Sequence, residues 1–187
     1  MTPKPGARTL GVAESYQGER STLAGAVVRA DRAFDGLVFG ECAVGGSDAT
    51  ASVEGMWEAL DREDVQYVLL AGIAPAWFNL FDLPRLHRSL GVPVLSVSFE
   101  ASPGLEDALR EQFSGDALRE RLDTYREQPA RTEMAVNGER VFVRASGVNG
   151  ERVSEIVRAY TPEGGRPEPL RVARLAARAG EEYRRER

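Results

Sequence analysis

Two short apolar runs stand out against the polar background of the chain: Tyr67-Val68-Leu69-Leu70-Ala71 and Val92-Pro93-Val94-Leu95-Ser96-Val97. Continuous rather than alternating, they predict strands buried on both faces. Between them Leu83, Leu86 and Leu90 recur at helical spacing. Asp82 is placed to cap that helix, Pro84 is tolerated in its first turn, and Gly91 stops it. The result is a strand–helix–strand crossover of roughly 30 residues, the unit of a parallel sheet. Ligands of such sheets sit beyond the carboxyl ends of the strands. That directs attention to the loop Ala71-Gly72-Ile73-Ala74-Pro75-Ala76-Trp77-Phe78-Asn79.

Before the crossover, Arg8–Ser15, Thr22–Ala30 and Gly36–Val44 read as three strands joined by short loops, an antiparallel meander. Gly45-Gly46-Ser47-Asp48 breaks the pattern. A helix from Ala49 to Asp61 follows, with Val53, Met56, Trp57 and Leu60 on one face. After the crossover the pattern predicts helices over Gly104–Phe113 and Asp116–Tyr125. A hairpin follows, Arg131–Val136 and Arg140–Ala145, turning at Asn137-Gly138. Helices over Gly150–Tyr160 and Leu170–Tyr183 flank a Pro/Gly loop, Thr161–Pro169, too short to be a domain linker. The order, three strands and then a parallel crossover, is ribonuclease H-like: an α/β fold with a mixed sheet and flanking helices. One domain spanning 1–187 is expected, with 1–7 and 181–187 as flexible tails.

Composition narrows the chemistry. Apolar residues make up 42% of the 187, enough for a core. No apolar run nears the roughly 20 residues of a membrane span, and nothing at the amino terminus resembles a secretion signal, so a cytoplasmic location is expected. Cys42 is the only cysteine and His87 the only histidine. An internal disulfide and a zinc cluster are thereby excluded, and Ser-His-Asp or Cys-His catalysis would have to use His87. His87 lies mid-helix between Arg85 and Arg88 and reads as a solvated side chain. The net charge of −5 does not advertise a nucleic-acid protein. Yet Lys4 is the only lysine among 24 basic residues. An acidic surface with almost no lysine also suits high salt, which weakens phosphate contacts, so charge is a poor veto.

Candidate chemistry lies in the carboxylates. Glu14 closes the first strand at the sheet's carboxyl end. Hard divalent cations take oxygen ligands, and phosphodiester cleavage needs charge neutralisation, so Glu14 suits a metal ligand; a solvated loop acid is the plainer reading. Asp48 precedes a helix and reads equally as a cap or a ligand. Trp77 and Phe78 would stack on a base if exposed, or fill the core if not. Asn79 and Asp82 are the polar groups of that loop, and capping accounts for Asp82. Glu168 suits the dipole of the last helix, and Arg171 one turn on would reach a phosphate.

Several segments together resemble a known family. They are Arg8–Ser15 (RTLGVAES), Ser47-Asp48-Ala49-Thr50, Ala71-Gly72-Ile73-Ala74, Trp77–Leu83 (WFNLFDL), Gly91-Val92-Pro93-Val94 and Pro167–Ala173 (PEPLRVA). In order and spacing they are similar to the archaeal endonuclease dU family, itself distantly similar to endonuclease V, and the lysine-poor composition looks haloarchaeal. The resemblance implies a ribonuclease H-like, metal-dependent endonuclease of DNA repair, acting on deaminated, deoxyuridine-containing DNA with Mg²⁺ or Mn²⁺. The DNA would be single-stranded or lesion-containing. It implies Glu14 and Asp48 as metal ligands and catalytic acids, with Glu168 and Arg171 also catalytic. Trp77, Phe78, Asn79 and Asp82 would contact substrate. The pattern departs in two places: Ala13 stands where the family often has a second acid, and Ala71-Gly72 carries no carboxylate where endonuclease V has an aspartate. A full two-metal set is not visible. The alternatives are a catalytically weak or inactive module that binds nucleic acid or a partner and, less favoured, a small-molecule enzyme, for which Gly72-Ile73-Ala74 lacks a phosphate-loop glycine pattern.

Overall fold

The computed structural model describes residues 1–187. Its strands β1 (Arg8–Tyr16), β2 (Arg20–Arg29), β3 (Phe34–Ala43), β4 (Val65–Ala71), β5 (Val94–Ser98), β6 (Thr132–Val136) and β7 (Glu139–Ser146) form one sheet in the order β3-β2-β1-β4-β5-β7-β6. β1, β4 and β5 are parallel. β2, β3, β7 and β6 join antiparallel, giving the meander at one edge and the hairpin at the other. The hairpin turns on Asn137 and Gly138, both with positive φ, as a tight turn matched to strand twist requires.

Alternation along β1 divides the two faces. Leu10 and Val12 join Leu23, Val27, Val53, Met56, Leu83 and Leu86 in one core. That core lies under α1 (Ala49–Leu60) and α3 (Leu83–Leu90). α3 lies in the crossover between β4 and β5 and ends on Gly91 in the left-handed conformation, its N–H donating to the His87 carbonyl. The opposite face carries α6 (Glu151–Ala159) and α7 (Glu168–Arg185). Its core contains Leu69, Leu95, Val97, Ile156, Val157, Tyr160 and Leu170. Beneath α7 the positions of β1 and β2 are small: Ala13 and Ala26 pack on Ala173. Gly11 is required there, because a Cβ on it would fall 2.5 Å from Pro169.

Both ends expected to be loose are tied down. Ala7 is buried, its carbonyl accepts from Ala30 N–H and Tyr160 O–H, and Asp31 N–H donates to Pro5. α7 continues past Tyr183 to Arg185, because Glu181 is 2% exposed and accepts from Thr22 and Arg184. His87 is not simply solvated. Its Nδ1 lies 2.9 Å from the Val92 carbonyl, an anchor for the turn into β5.

Candidate nucleic-acid and metal site

The carboxyl ends of β1, β4 and β5 meet at one rim with the start of β2 and the end of β3. A cavity of about 410 Å³ opens there, lined by Glu14, the Ala71–Pro75 loop, Ser96, Ser98, Glu100, Tyr125, Arg131, Phe142 and Arg144. Glu14 lies within β1 rather than after it, on the Leu10–Val12 face. Ser21 Oγ donates to its Oε2 over 2.6 Å.

Asp48 reaches the same rim from the other side. Ser21 pairs in register with Cys42, and the N–H of the next residue, Ala43, donates to Asp48 Oδ1 over 3.0 Å. Glu14 and Asp48 are therefore linked through Ser21, Cys42 and Ala43. Their fields converge on the Cys42 thiol. Burial first, then the charges of Asp48 and Glu14, push it up to about 12. Asp48 stands at the N-terminus of α1, yet its side chain does not cap the helix. Fully buried Asn79 does so instead: its Oδ1 accepts from Ala49 N–H over 2.9 Å, while its Nδ2 donates to Asp48 Oδ1 over 2.7 Å and to the Ala43 carbonyl over 2.8 Å. Burial alone would raise the Asp48 carboxyl. The Ala43 and Asn79 donors outweigh it and hold the group below its ordinary range.

The loop between β4 and α3 holds an unexpected feature. Ala76, Trp77 and Phe78 have φ of 48, 58 and 58°, three consecutive left-handed residues, none of them glycine. Each costs about 1–2 kcal/mol, so the surroundings must impose the shape. Gly45 N–H donates to Ala76, Phe81 N–H to Ile73, and Arg121 Nε to the Phe78 carbonyl. Arg121 belongs to α5 (Gly115–Arg126) and is only 8% exposed. Its Nη2 also donates to the Gly45 and Gly46 carbonyls over 2.6 and 2.8 Å. One guanidinium thus ties the loop before Asp48 to the turn before Asn79. Burial pulls its pKa down, with no carboxylate bonded to it. The turn leaves Trp77 48% exposed, edge-on to Phe78, which stacks edge-on against Phe113.

The remaining sequence candidates lie elsewhere. Asp82 caps α3, accepting from Arg85 N–H over 2.9 Å, and lines a separate cavity with Thr50, Arg85 and Arg121. Glu168 and Arg171 are on α7, on the opposite face of the sheet from Glu14. They pair with each other at 2.5 Å, and Arg32 from the β2–β3 turn adds its charge. Neither joins the rim. No group of three or more His, Cys, Asp or Glu side chains comes together to hold a metal. Sequence reading did not single out Ser21, Arg121, Arg131 or Arg144. Strand pairing brings Ser21 and Arg144 to the rim, whereas Arg121 arrives on α5 and Arg131 from the segment before β6.

The donor set can be tested against a cation. Two carboxylates with part of their oxygen valence free make no closed cage. They match Mg²⁺ or Mn²⁺, which keep several waters and bind through one or two carboxylates plus substrate phosphate. They do not match a structural zinc site.

The fold is ribonuclease H-like, the fold of endonuclease V. The Bacillus subtilis endonuclease V superposes with a TM-score of 0.63 at 14% identity, covering 96% of this chain and 83% of its own. The Ciona intestinalis endonuclease V, crystallised with a 24mer DNA containing an inosine followed by a ribo-adenosine, gives 0.63 at 12% identity, covering 95% and 87%. A protein of unknown function from Archaeoglobus fulgidus gives 0.77 at 24% identity, covering 92% and 96%. The endonuclease dU family model matches residues 5–180, and the chain belongs to that family. A UPF0215 protein of Pyrobaculum calidifontis is 31% identical over 178 residues, 93% of this chain and 97% of its own. Its counterpart from Methanosarcina barkeri is 32% identical over 180 residues, 93% and 90%. No helix is long and apolar enough to cross a membrane.

Proposed function

We propose that this protein is a cytoplasmic, Mg²⁺- or Mn²⁺-dependent endonuclease that nicks DNA at deaminated bases, deoxyuridine being the lesion. What carries the reading is the contact chain that brings Glu14 and Asp48 to one carboxyl rim of a ribonuclease H-like sheet: Ser21 Oγ on Glu14, Cys42 paired in register with Ser21, and the Ala43 N–H on Asp48. Membership of the endonuclease dU family supports a nuclease, and the DNA complex of the Ciona homologue in fold supports a nucleic-acid partner.

Glu14 and Asp48 would hold the cation, which when bound neutralises charge at the phosphate and favours ionisation of attacking water. Ser21 orients Glu14 through its hydroxyl. The Ala43 and Asn79 donors keep Asp48 ionised and directed. Trp77, half-exposed on its strained turn, approaches the base. Asn79, Asp82, Glu168 and Arg171 are given no substrate contact in this scheme, because Asn79 and Asp82 hold the backbone and the other two lie on the far face.

The test is nicking of a duplex with one deoxyuridine in Mg²⁺ or Mn²⁺. Glu14→Gln and Asp48→Asn should each lose at least about a hundredfold in rate while keeping the wild-type circular dichroism. Undiminished nicking by both variants would remove the assignment. A second reading, a binding module without catalysis, is favoured because no third acid is grouped with Glu14 and Asp48 to hold a metal. A protein whose melting temperature ignores both cations, yet which retards single-stranded DNA, would match it.

A further inference from the structure

We propose that Arg131 and Arg144 form a clamp for a backbone phosphate of the nucleic acid, on the wall of the cavity opposite Glu14. The inference rests on the nucleic-acid reading above but not on cleavage.

Most arginines of this chain are matched to carboxylates. Arg62 holds Asp35 and Asp64, Arg85 holds Glu54, and Arg140 holds Glu133. Arg131 and Arg144 are held in another way. Arg131 Nη2 donates to Ser98 Oγ over 3.0 Å and to the Glu100 carbonyl over 2.5 Å, and its guanidinium lies 4.1 Å from the Phe142 ring centroid. Arg144 Nη1 donates to the Pro129 carbonyl over 2.7 Å, with its guanidinium 5.5 Å from the Tyr125 ring. Carbonyls, a hydroxyl and ring faces fix both groups without cancelling their charge. Glu14 and Glu100 line the same cavity, yet neither pairs with them.

The donor inventory points the same way. A guanidinium carries five N–H groups. Arg121 spends its Nε and both terminal nitrogens on carbonyls and is structural. In Arg131 and Arg144 only one terminal nitrogen each is engaged, which leaves a fork of donors beside the cavity. The two cations are also close enough to repel: burial first, then the Arg144 charge, pulls Arg131 down. An anion between them relieves that repulsion.

Register sets the position. Arg144 pairs with Ser96, Ser96 with Leu70, and Leu70 with Val12, so Arg144 shares the face of Glu14 three strands away. Three spacings separate the backbones by about 14 Å. The clamp therefore takes a neighbouring phosphate of the strand and not the one beside Glu14. It sets how far the chain threads before the cleaved bond.

The experiment is binding of a labelled single-stranded oligodeoxynucleotide in EDTA, across a salt series, so that no cleavage is needed. Arg131→Gln and Arg144→Gln should each weaken low-salt binding about tenfold and lower the slope of log affinity on log salt by about 0.7, the loss of one phosphate contact. Arg144→Lys keeps the charge and should keep the slope, which a purely structural role at Pro129 would not produce. Slopes equal to wild type in both glutamine variants would overturn the clamp, even if inorganic phosphate raised the melting temperature of the wild-type protein. A wild type that never nicks DNA but shows these slope changes would remove the nuclease reading and leave the clamp standing.

Discussion

Asn79 donates to the Asp48 carboxylate over 2.7 Å while accepting from the Ala49 N–H over 2.9 Å, so one buried amide both directs the acid and caps the helix behind it. Asn79→Ala leaves the Ala49 N–H without a partner and removes one donor each from Asp48 and the Ala43 carbonyl, which keeps the Gly46 N–H, and should cost about 2 kcal/mol in urea unfolding at neutral pH. The pH dependence has a definite sign. A carboxyl held below its ordinary value of 3.8 stabilises the fold above that value, and the contribution fades as pH falls through the folded value. The difference between wild type and Asn79→Ala should therefore be largest near neutrality and narrow below about pH 4. A constant difference across that range would detach Asn79 from the ionisation of Asp48.

Arg121 joins Gly45, Gly46 and Phe78 through their carbonyls. Arg121→Leu leaves those acceptors unpaired in a part-buried setting and should cost about 3 kcal/mol. Because the two loops it joins carry Asp48 and Asn79, amide exchange in residues 43–48 and 74–79 should rise before that of β4 and β5. Uniform acceleration over the whole chain would show a general loss of stability and no particular role at the rim.

The left-handed turn makes an inverted stability order. Trp77→Gly and Trp77→Ala both remove the half-exposed indole, but only glycine adopts a φ of 58° without strain. The glycine variant should be the more stable by about 1 kcal/mol in denaturant melts, opposite to the usual ranking of the two residues. Equal stabilities, or alanine ahead, would mean that Trp77 does not hold this backbone conformation in solution.

Cys42 offers a chemical check on burial. Its thiol is enclosed and pushed up to about 12, so almost no thiolate exists at pH 8. Labelling by a thiol reagent should proceed only as fast as the protein unfolds and should speed up with denaturant. Complete labelling within seconds in native buffer would place the thiol at an open surface.

Much of the fold was legible from local pattern. The apolar runs at 67–71 and 92–97, the leucine spacing with Gly91 between them, and Asn137-Gly138 each encode one element within a few residues. Asp82 as a cap was legible for the same reason. The site was legible only in part, because its chemistry is assembled across the sheet. Nothing local marks Asn79 as the cap of a helix that begins thirty positions earlier. Nor does anything mark Arg144 as a neighbour of Ser96, a pairing that depends on β7 returning beside β5. Asp48 looked like a cap because it precedes a helix, and tertiary donors at Ala43 and Asn79 reassigned its oxygens. The left-handed turn at 76–78 was hidden because alanine, tryptophan and phenylalanine carry no preference for it, and it is held by distant donors, Arg121 and the Gly45 N–H among them. Glu181 was read into a frayed tail because it lies near the end of the chain, whereas Thr22 and Arg184 bond its carboxylate in a buried position.

The central claim is that one divalent cation is held at the rim by Glu14 and Asp48. Crystals soaked in Mn²⁺ test it most directly, through the anomalous signal of the metal. A peak is expected between the Glu14 and Asp48 carboxylates, and its loss in Glu14→Gln crystals. A cation held instead by Asp82 or Glu168, or no peak at the rim at any Mn²⁺ concentration the crystals tolerate, would contradict it.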